Sequence, residues 1–528
     1  MRLDLPSLLL LQLPLKFFQT SMQIAANQRL ILGAPGTGKT TRLLGIVEEE
    51  LINGVQPNKI AYVSFTKKAV EEATDRAKLK FKLEATQLPY FRTLHSLCFQ
   101  LLGLRRGDVL SRTDYLSLGD ELGYTFGAHD INPEEGFPVG GNEGDRLLFV
   151  TQLARNRCVS LEEQWHQLND PDIDLFALKR LSVALTSYKA EHGRLDFTDM
   201  LEQVLLEKKQ VNVDVVVIDE AQDLSNLQWQ VCQQLFSTAK RVFIGGDDDQ
   251  AIYRWSGADV EQFLDLGGQQ EVLKTSYRLP RSVYQTARRV IEGVGHRFQK
   301  KWSARNEEGS VQHLPHLETM DFEAPGTWLI LARNGYMLNE AEEMLRRSGV
   351  VFTGRRGIPS VDQAHYLAII NWERLRRGES VSGGAVQRIY DCLRPGTGVQ
   401  RGFKGATAFL DDLLYDDKHL REKCGLLAQG IWHDALDGIA LDVREYYLAV
   451  LRAGRKLHAP PLVKIGTIHS AKGGEADNVT VMLDMSYKTF QGYQRFPDDE
   501  RRVFYVALTR AKMNLYLIDA KSPQSFQI

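Results

Sequence analysis

The 528-residue chain contains little cysteine: five residues, none of them in a CxxC pair. An odd, unpaired set argues against a disulfide framework and a zinc site, and is typical of buried thiols in a reducing compartment. The 12 histidines are scattered and form no HExxH motif. This pattern argues against a metal hydrolase.

The sequence also lacks a hydrophobic run long enough to cross a bilayer. Its apolar stretch PSLLLLQLPLKFF is short and broken by prolines, so we expect no signal peptide, no membrane association and a cytoplasmic location. The formal net charge is only −2, which gives no global basic signature for nucleic acid. A local basic groove remains compatible with such a total.

Several short apolar runs are present, and each is followed by a turn and helix-like sequence. In the first half they are RLIL, KIAYVSF, VVVI and RVFI; a second series contains TWLILARN, VKIGTIH and NLYLIDA. Alternating strands and helices predict α/β architecture with parallel sheets. Ligands then bind at the carboxyl ends of the strands.

The strongest motif is GAPGTGKT, which follows the first apolar run and precedes a predicted helix. This is the P-loop context, in which glycines let backbone N–H groups surround phosphate. Gly36, Thr37 and Gly38 are predicted to bind the nucleotide in this way. Lys39 is predicted to pair with the β- and γ-phosphates, and Thr40 to ligate Mg²⁺.

The run VVVIDEAQD supplies a second acidic motif at a strand end. Asp219 is predicted to hold Mg²⁺, and Glu220 to activate the attacking water. A solvated acidic pair is the simpler interpretation of these letters alone, but the P-loop favours ATP and Mg²⁺. Kinases, GTPases and motors all use such a pair.

Five further motifs separate these classes: DEAQD, GDDDQAIYRWSGA, TSYRLP, GTIHSAKGGEA and RRVFYVALTRA, in this order. Together they resemble the UvrD/Rep/PcrA family of superfamily-1 DNA helicases. The resemblance implies two RecA-like P-loop lobes, with parallel sheets flanked by helices, each carrying a helical insertion, the second one short. The implied subdomains are an ATP-binding lobe (1–103 and 190–273) with a helical insertion (104–189), and a second lobe (274–395 and 461–528) with a reduced insertion (396–460).

The resemblance also assigns nucleotide contacts. Gln19, with Gln23 as the alternative, would read adenine, and Tyr277 would stack on the base. The remaining assignments are Gln250 as γ-phosphate sensor, Arg278 and Arg510 as transition-state arginines, and Glu475 at the sugar. Thr41 is also expected to bind the nucleotide, although the family usually has arginine at this position after GKT, and Arg42 follows one place later here. KGGEA also replaces the family's KGLEF.

On the DNA side the resemblance implies contacts from both lobes: Phe65, Thr66, Lys67, Thr93, His95, Tyr253, Trp255, Thr467 and His469. Packed core histidines and core aromatics are the competing interpretation of the histidines, Tyr253 and Trp255. The acids of LDFTDML are either DNA-linked or simple helix caps. Asp248 is expected to face solvent without a role.

The implied function is an ATP-dependent 3′→5′ helicase and translocase on single-stranded DNA that uses Mg²⁺. Its expected partners are single strands and single-strand/duplex junctions. The short second insertion favours one alternative, a DNA-stimulated motor subunit with weak unwinding that works with a nuclease or another protein. A P-loop kinase, a regulatory NTPase and a non-catalytic DNA-binding protein fit the motifs less well.

Overall fold

A computed structural model describes residues 24, 27–64, 67–127, 142–322, 325–405 and 409–528. The chain divides into two compact units. The first comprises Met1–Glu308 and Arg495–Thr509, and the second Gly309–Gln494 and Arg510–Ile528. None of the helices in the described ranges is both long and apolar enough to cross a membrane.

The first unit is built on a six-stranded parallel sheet in the order β3-β2-β4-β5-β1-β6. Its strands are β1 (Gln28–Gly33), β2 (Ile60–Ser64), β3 (Phe91–Thr93), β4 (Val215–Asp219), β5 (Arg241–Gly246) and β6 (Gln269–Leu273). Every residue of β2 and β4 is buried. Near-continuous apolar strands of this kind are typical of parallel sheets covered on both faces.

Helices connect and cover these strands. They are α1 (Lys39–Ile52), α2 (Lys67–Phe81), α3 (Leu94–Leu101), α4 (Arg112–Leu122), α5 (Glu143–Arg157), α6 (Leu161–Leu168), α7 (Leu175–His192), α8 (Phe197–Leu206), α9 (Asn226–Leu235), α10 (Val260–Leu264) and α11 (Arg281–Ile291). Helices α4 to α7 enclose an apolar core of their own, which includes Leu118, Leu148 and Leu178. These four helices lie between β3 and α8 in the chain order and form a separate apolar cluster.

The second unit has its own six-stranded parallel sheet, in the order β7-β14-β13-β8-β12-β9, and an antiparallel pair, β10-β11. Its strands are β7 (Ser310–Leu314), β8 (Trp328–Ala332), β9 (Phe352–Thr353), β10 (Val381–Ser382), β11 (Leu414–Tyr415), β12 (Val463–Thr467), β13 (Ala476–Met482) and β14 (Ala511–Ile518). Two parallel α/β sheets confirm the predicted fold class.

The helices of the second unit surround its sheet. They are α12 (Leu338–Arg347), α13 (Gln363–Arg376), α14 (Gly383–Asp391), α15 (Asp417–Lys423), α16 (Trp432–Ala435), α17 (Leu441–Arg452) and α18 (Tyr487–Arg495); α19 (Pro497–Leu508) follows and belongs mainly to the first unit. One continuous core joins Trp328 of the sheet to Trp372 of α13 and Tyr447 of α17. Helices α13 and α17 thus share the apolar core of the second sheet.

Candidate active site

The predicted nucleotide residues of the first unit converge on one edge of its sheet. Strands β1, β4 and β5 lie next to one another and run parallel, so their carboxyl ends meet. The P-loop follows β1, Asp219 ends β4, and the three aspartates follow β5. This edge is where open α/β sheets bind their ligands.

The P-loop has the backbone shape that phosphate binding needs. Gly36 and Gly38 adopt φ angles of 72° and 79°, which favour glycine, and α1 begins directly afterwards. The Thr37 hydroxyl donates to the carbonyl of Ala34 at 2.8 Å. The N-terminus of α1 therefore presents N–H groups and the positive end of its dipole to the loop.

Lys39 is buried beside the acidic motif. Its Nζ lies 3.2 Å from Oε1 of Glu220. Burial lowers the pKa of Lys39, but the carboxylates of Glu220, Asp219 and Asp247 outweigh it and leave the pKa above its usual value. Lys39 is therefore positively charged, and a phosphate can replace Glu220 as its ion-pair partner.

Asp219 and Thr40 form a pair suited to a hard divalent cation. The Thr40 hydroxyl donates to Oδ2 of Asp219 at 3.2 Å, and the Tyr62 hydroxyl donates to the same oxygen at 2.9 Å. Burial, and then the charge of Glu220, raise the pKa of Asp219 to about 6. Mg²⁺ in nucleotide sites is bound through one or two carboxylates plus substrate phosphates, and this donor pair fits that pattern.

Gln222 of the DEAQD motif joins Glu220 to the loop after β5 that carries Asp247, Asp248 and Asp249, the aspartate loop. Its Nε2 donates to Oε2 of Glu220 at 2.6 Å, while its Oε1 accepts from the backbone N–H of Asp247 at 2.9 Å. Gln222 is fully buried, and Glu220 has a positive φ of 55°. Strained backbone of this kind persists only where its surroundings fix it, and Gln222 provides such a contact.

The TSYRLP segment packs directly on the P-loop. The Ser276 hydroxyl donates to the carbonyl of Pro35 at 2.7 Å, and the backbone N–H of Tyr277 donates to that of Gly36 at 2.8 Å. The Tyr277 side chain is 75% exposed, whereas Arg278 is half-buried. Both residues predicted to contact the nucleotide thus lie beside the phosphate loop.

The expectation that Asp248 faces solvent is wrong. Asp247, Asp248 and Asp249 are all fully buried, and the Nζ of Lys300 lies 2.5, 2.5 and 2.9 Å from their carboxylates. Burial lowers the pKa of Lys300, but the three carboxylates raise it far above its usual value. Lys300 follows the aspartates by about fifty positions, so local sequence gave no signal of the contact.

Gln250 is held by the first of these aspartates. Its Nε2 donates to Oδ2 of Asp247 at 2.6 Å, and its backbone N–H donates to the Asp247 carbonyl at 2.9 Å. The other carboxylate oxygen of Asp247 accepts from Lys300 at 2.5 Å. The predicted γ-phosphate sensor is therefore part of a buried hydrogen-bonded network.

The aromatic half of the same loop contacts helix α5. Trp255 stacks on Phe149 of α5 with ring centroids 6.2 Å apart, and Tyr253 lies 6.4 Å from Trp255. From the end of α5, Arg157 donates to the carbonyl of Arg254 at 3.1 Å. Phe149 and Arg157 were missed in the sequence because their partners lie about a hundred positions away.

The two predicted threonine–histidine sites have the same local geometry. Thr93 ends β3 and Thr467 ends β12, and each hydroxyl accepts from the backbone N–H three residues later, at 3.4 and 3.3 Å. Each hydroxyl proton therefore remains available to an acceptor. His95 and His469 are half-buried, and burial lowers the pKa of His95 to about 4.

Two family models match the chain. The UvrD/REP helicase N-terminal domain matches residues 17–270, and the UvrD-like helicase C-terminal domain matches residues 448–522. Together these ranges cover more than half of the sequence. The chain belongs to the UvrD/REP helicase family.

Individual relatives are distant. The chain is 23% identical over 406 residues to the ATP-dependent DNA helicase PcrA of Staphylococcus epidermidis, covering 70% of this chain and 54% of that protein. It is 24% identical over 370 residues to the putative ATP-dependent DNA helicase YjcD of Bacillus subtilis, covering 63% and 47%. The chain therefore spans about half the length of these curated relatives.

Among solved structures, the arterivirus nonstructural protein 10 helicase aligns with 95% of this chain and 61% of its own, at 12% identity and a TM-score of 0.32. The arterivirus (PRRSV) helicase gives a TM-score of 0.31 at 12% identity. Likenesses this weak carry no argument here.

The second unit carries the remaining UvrD-type motifs. Arg510 is buried and its Nη1 donates to the carbonyl of Gly474 at 3.3 Å, whereas Glu475 is exposed. Thr467 and His469 also belong to this unit. Of the remaining predicted residues, Gln19, Phe65 and Thr66 lie outside the described ranges, as does Gln23.

Departures from the usual UvrD pattern have visible consequences. Thr41 and Lys67 are exposed. Arg42, the candidate for the shifted arginine, donates from Nε and Nη2 to Glu271 at 2.8 and 3.3 Å and from Nη1 to Glu49 at 3.0 Å. Its guanidinium is therefore held by carboxylates.

The acids of LDFTDML act as a helix cap. Asp196 accepts from the backbone N–H of Asp199 at 2.7 Å at the start of α8. Both carboxylates also pair with Arg155 and Lys189 at 2.5 to 2.9 Å. These contacts support the capping interpretation over a DNA-linked one.

Proposed function

We propose that this protein is an ATP-dependent DNA helicase that translocates 3′→5′ on single-stranded DNA. The observation that carries the proposal is the convergence of Lys39, Asp219, Glu220 and the Gln250 loop at one sheet edge, in a chain of the UvrD/REP family. The relatives named above are ATP-dependent DNA helicases by name.

The proposed chemistry begins with an exchange of partners. Lys39 leaves Glu220 for the β- and γ-phosphates, so that Glu220 becomes available to accept a proton from the attacking water. Mg²⁺ bound with the nucleotide would neutralise phosphate charge, and Thr40 and Asp219 would hold it. The hydrogen bond from Gln222 would keep the Glu220 carboxylate in its orientation during this exchange.

Further residues complete the proposed nucleotide site. Arg278 and Arg510 would stabilise charge that develops on the transferred phosphoryl group, a role that can be worth ~10³ in rate. Tyr277 would stack on the base. Its high exposure beside the P-loop supports this assignment. Gln19 at adenine and Glu475 at the sugar rest on the family resemblance.

For DNA we propose a track that binds phosphates and stacks bases. Threonine hydroxyls with an unused proton suit phosphate oxygens, which supports Thr93 and Thr467. Tyr253 and Trp255 suit stacking, at ~1–3 kcal/mol for each base. Contacts of these kinds carry no base code, so binding is expected to tolerate sequence and to weaken with salt. The other proposed contacts are Phe65, Thr66, Lys67, His95 and His469.

A second candidate keeps the motor but not strong unwinding. We propose residues 104–189 as an inserted subdomain, supported by the separate core of α4 to α7, and residues 396–460 as a reduced second insertion. The helices of that second insertion share the core of their lobe, which favours a compact motor without a large independent module. Such a motor would act with a nuclease or another protein partner, and would translocate rapidly without separating strands.

ATPase assays with and without a single-stranded oligonucleotide test the proposal. The wild-type chain is expected to hydrolyse Mg²⁺-ATP faster with DNA. Lys39→Ala is expected to abolish hydrolysis while leaving single-strand binding largely intact, because the phosphate-binding charge is lost. The exposed Lys240→Ala variant is the matched control.

Two outcomes would reject the proposal. Hydrolysis at the wild-type rate by Lys39→Ala would refute the P-loop assignment. Hydrolysis unaffected by DNA, with phosphate transferred to a small acceptor, would indicate a kinase instead.

A further inference from the structure

The aspartate loop carries an unusual buried charge. Asp247, Asp248 and Asp249 are adjacent in sequence and all are fully buried. Isolated carboxylates are very costly to bury, so each needs a cation or strong donors. The loop therefore depends on partners from elsewhere in the chain.

Two cations contact these three carboxylates, and a third contacts the backbone of the loop. Lys300 contacts all three aspartates, and Arg297 donates to both oxygens of Asp249 at 2.7 and 2.5 Å. Arg502 of α19 donates to the backbone carbonyl of Asp248 at 3.0 Å and is itself buried. Lys300 and Arg297 thus place two positive charges against three carboxylates, and Arg502 adds a positive charge at the loop backbone.

Lys300 is the central member. Its side chain is fully buried, and its ammonium group has a carboxylate for each of its three protons. Neither Lys300 nor Arg297 lies in the two ranges matched by the family models, 17–270 and 448–522. These residues follow α11 and reach the loop from outside the recognised motifs.

The cluster is directly joined to the predicted catalytic groups. Asp247 accepts from Lys300 through Oδ1 and from Gln250 through Oδ2, at 2.5 and 2.6 Å. The backbone N–H of Asp247 donates to Gln222, which in turn donates to Glu220. A change in the position of Asp247 therefore moves both Gln250 and the support of Glu220.

We propose that Lys300 is a positioning residue for ATP hydrolysis. Together with Arg297 it offsets the charge of the three aspartates, and it so fixes Asp247, Gln250 and the Gln222–Glu220 contact. The inference rests on the proposed ATPase function. Without Lys300 the carboxylates repel one another, and the loop must open towards water. Gln250 then loses its place although its own side chain is unchanged.

Charge rescue separates positioning from simple packing. Lys300→Met removes the cation with little loss of volume, and Asp248→Asn in the same chain removes one negative charge. The new amide keeps an oxygen for the backbone N–H of Phe298, which donates to Asp248 at 3.0 Å, and adds N–H donors for the neighbouring carboxylates. The matched control is Lys301→Met, the same change at the adjacent exposed lysine.

The kcat and KM for ATP, with saturating oligonucleotide, and the melting temperature are measured for all variants. We expect Lys300→Met to lower kcat by about tenfold to a hundredfold, with a much smaller change in KM, and to lower the melting temperature. The double variant recovers most of both losses, and Lys301→Met behaves as wild type. If Lys300→Met does not fold, recovery of folding and kcat in the double variant supports the inference.

A wild-type kcat in Lys300→Met would overturn the inference. So would a double variant that recovers neither kcat nor melting temperature, or that recovers melting temperature alone. Failure of the proposed function has a different signature, since the wild-type chain would then show no DNA-stimulated hydrolysis before any variant is made.

Discussion

At the residue scale, Trp255 is the proposed DNA contact that lies in the same loop as the proposed nucleotide sensor, Gln250. It is half-buried against Phe149, and the Gln250 network begins five residues earlier in the same loop. The aromatic half and the aspartate half therefore have separate supports. This separation predicts that their functions can be damaged independently.

Trp255→Ala is expected to weaken single-strand affinity by about tenfold, because one stacking surface is lost. DNA stimulation of ATPase and translocation should fall more than basal hydrolysis. Binding and ATPase titrations measure this, with the exposed Phe176→Ala variant of α7 as control. An equal fall in basal and stimulated rates would refute the division of the loop.

His95 gives a prediction about pH. Burial lowers its pKa from 6.5 to about 4, so the folded protein holds it neutral. Above pH 6.5 His95 is neutral in both the folded and the unfolded chain, so it does not change the free energy of unfolding. As the pH falls below 6.5, the unfolded chain takes up a proton that the folded chain does not. Stability from this residue is therefore lost on acidification, by at most about 1.4 kcal/mol for each pH unit.

Melting temperatures at pH 7 and pH 5 test this effect. His95→Asn should lose less stability on acidification than the wild type, whereas the exposed His316→Asn variant should follow the wild type. An identical acid sensitivity of His95→Asn and the wild type would show that His95 does not titrate in this way.

The sequence predicted individual site residues where a motif is local. Lys39, Thr40, Asp219 and Glu220 meet because β1 and β4 flank β5 and all three strands run parallel. The burial of Asp248 was not predictable, because its neutralising partner is distant in the chain and lies in no motif. The position of a motif after an apolar run predicts which strand end a residue follows. It does not predict which cation from a distant part of the chain will contact that residue.

At the scale of elements, the P-loop and the TSYRLP segment can pack together because residue 36 is glycine and has no side chain. A Cβ at Gly36 would lie 2.3 Å from Cβ of Arg278, and the φ of Gly36 is positive. Glycine is therefore required there both for backbone shape and for the close approach of the two segments.

Gly36→Ala is expected to abolish nucleotide binding, because the phosphate loop and Tyr277–Arg278 cannot both keep their positions. Gly45→Ala is the matched control: it lies within α1, its Cβ would meet no atom within 4 Å, and it should raise stability by ~0.5–1 kcal/mol. Binding of a fluorescent ATP analogue measures the difference. Normal binding by Gly36→Ala would contradict the described packing.

Apolar runs also predicted the principal strands of both sheets. RLIL, VVVI and RVFI became β1, β4 and β5, since buried parallel strands need continuous apolar sequence. The packing of the insertions could not be predicted in the same way. Whether a helical segment forms its own core, as α4 to α7 do, or joins that of its lobe depends on contacts that no local pattern records.

At the scale of the whole molecule, two parallel α/β units carry complementary motifs. The first holds the P-loop and the aspartate loop, and the second holds Arg510 and the Thr467–His469 turn. Membership of the UvrD/REP family explains why both sets occur in one chain. We propose that the two units act together as a motor on single-stranded DNA.

Translocation kinetics test this claim most directly. The wild-type protein is mixed with ATP and oligonucleotides of increasing length that carry a fluorophore at the 5′ end. We expect a fluorescence change that requires ATP and starts after a delay, and this delay grows with oligonucleotide length. The delay should be absent when the fluorophore is moved to the 3′ end. A delay independent of length or of ATP would contradict the account.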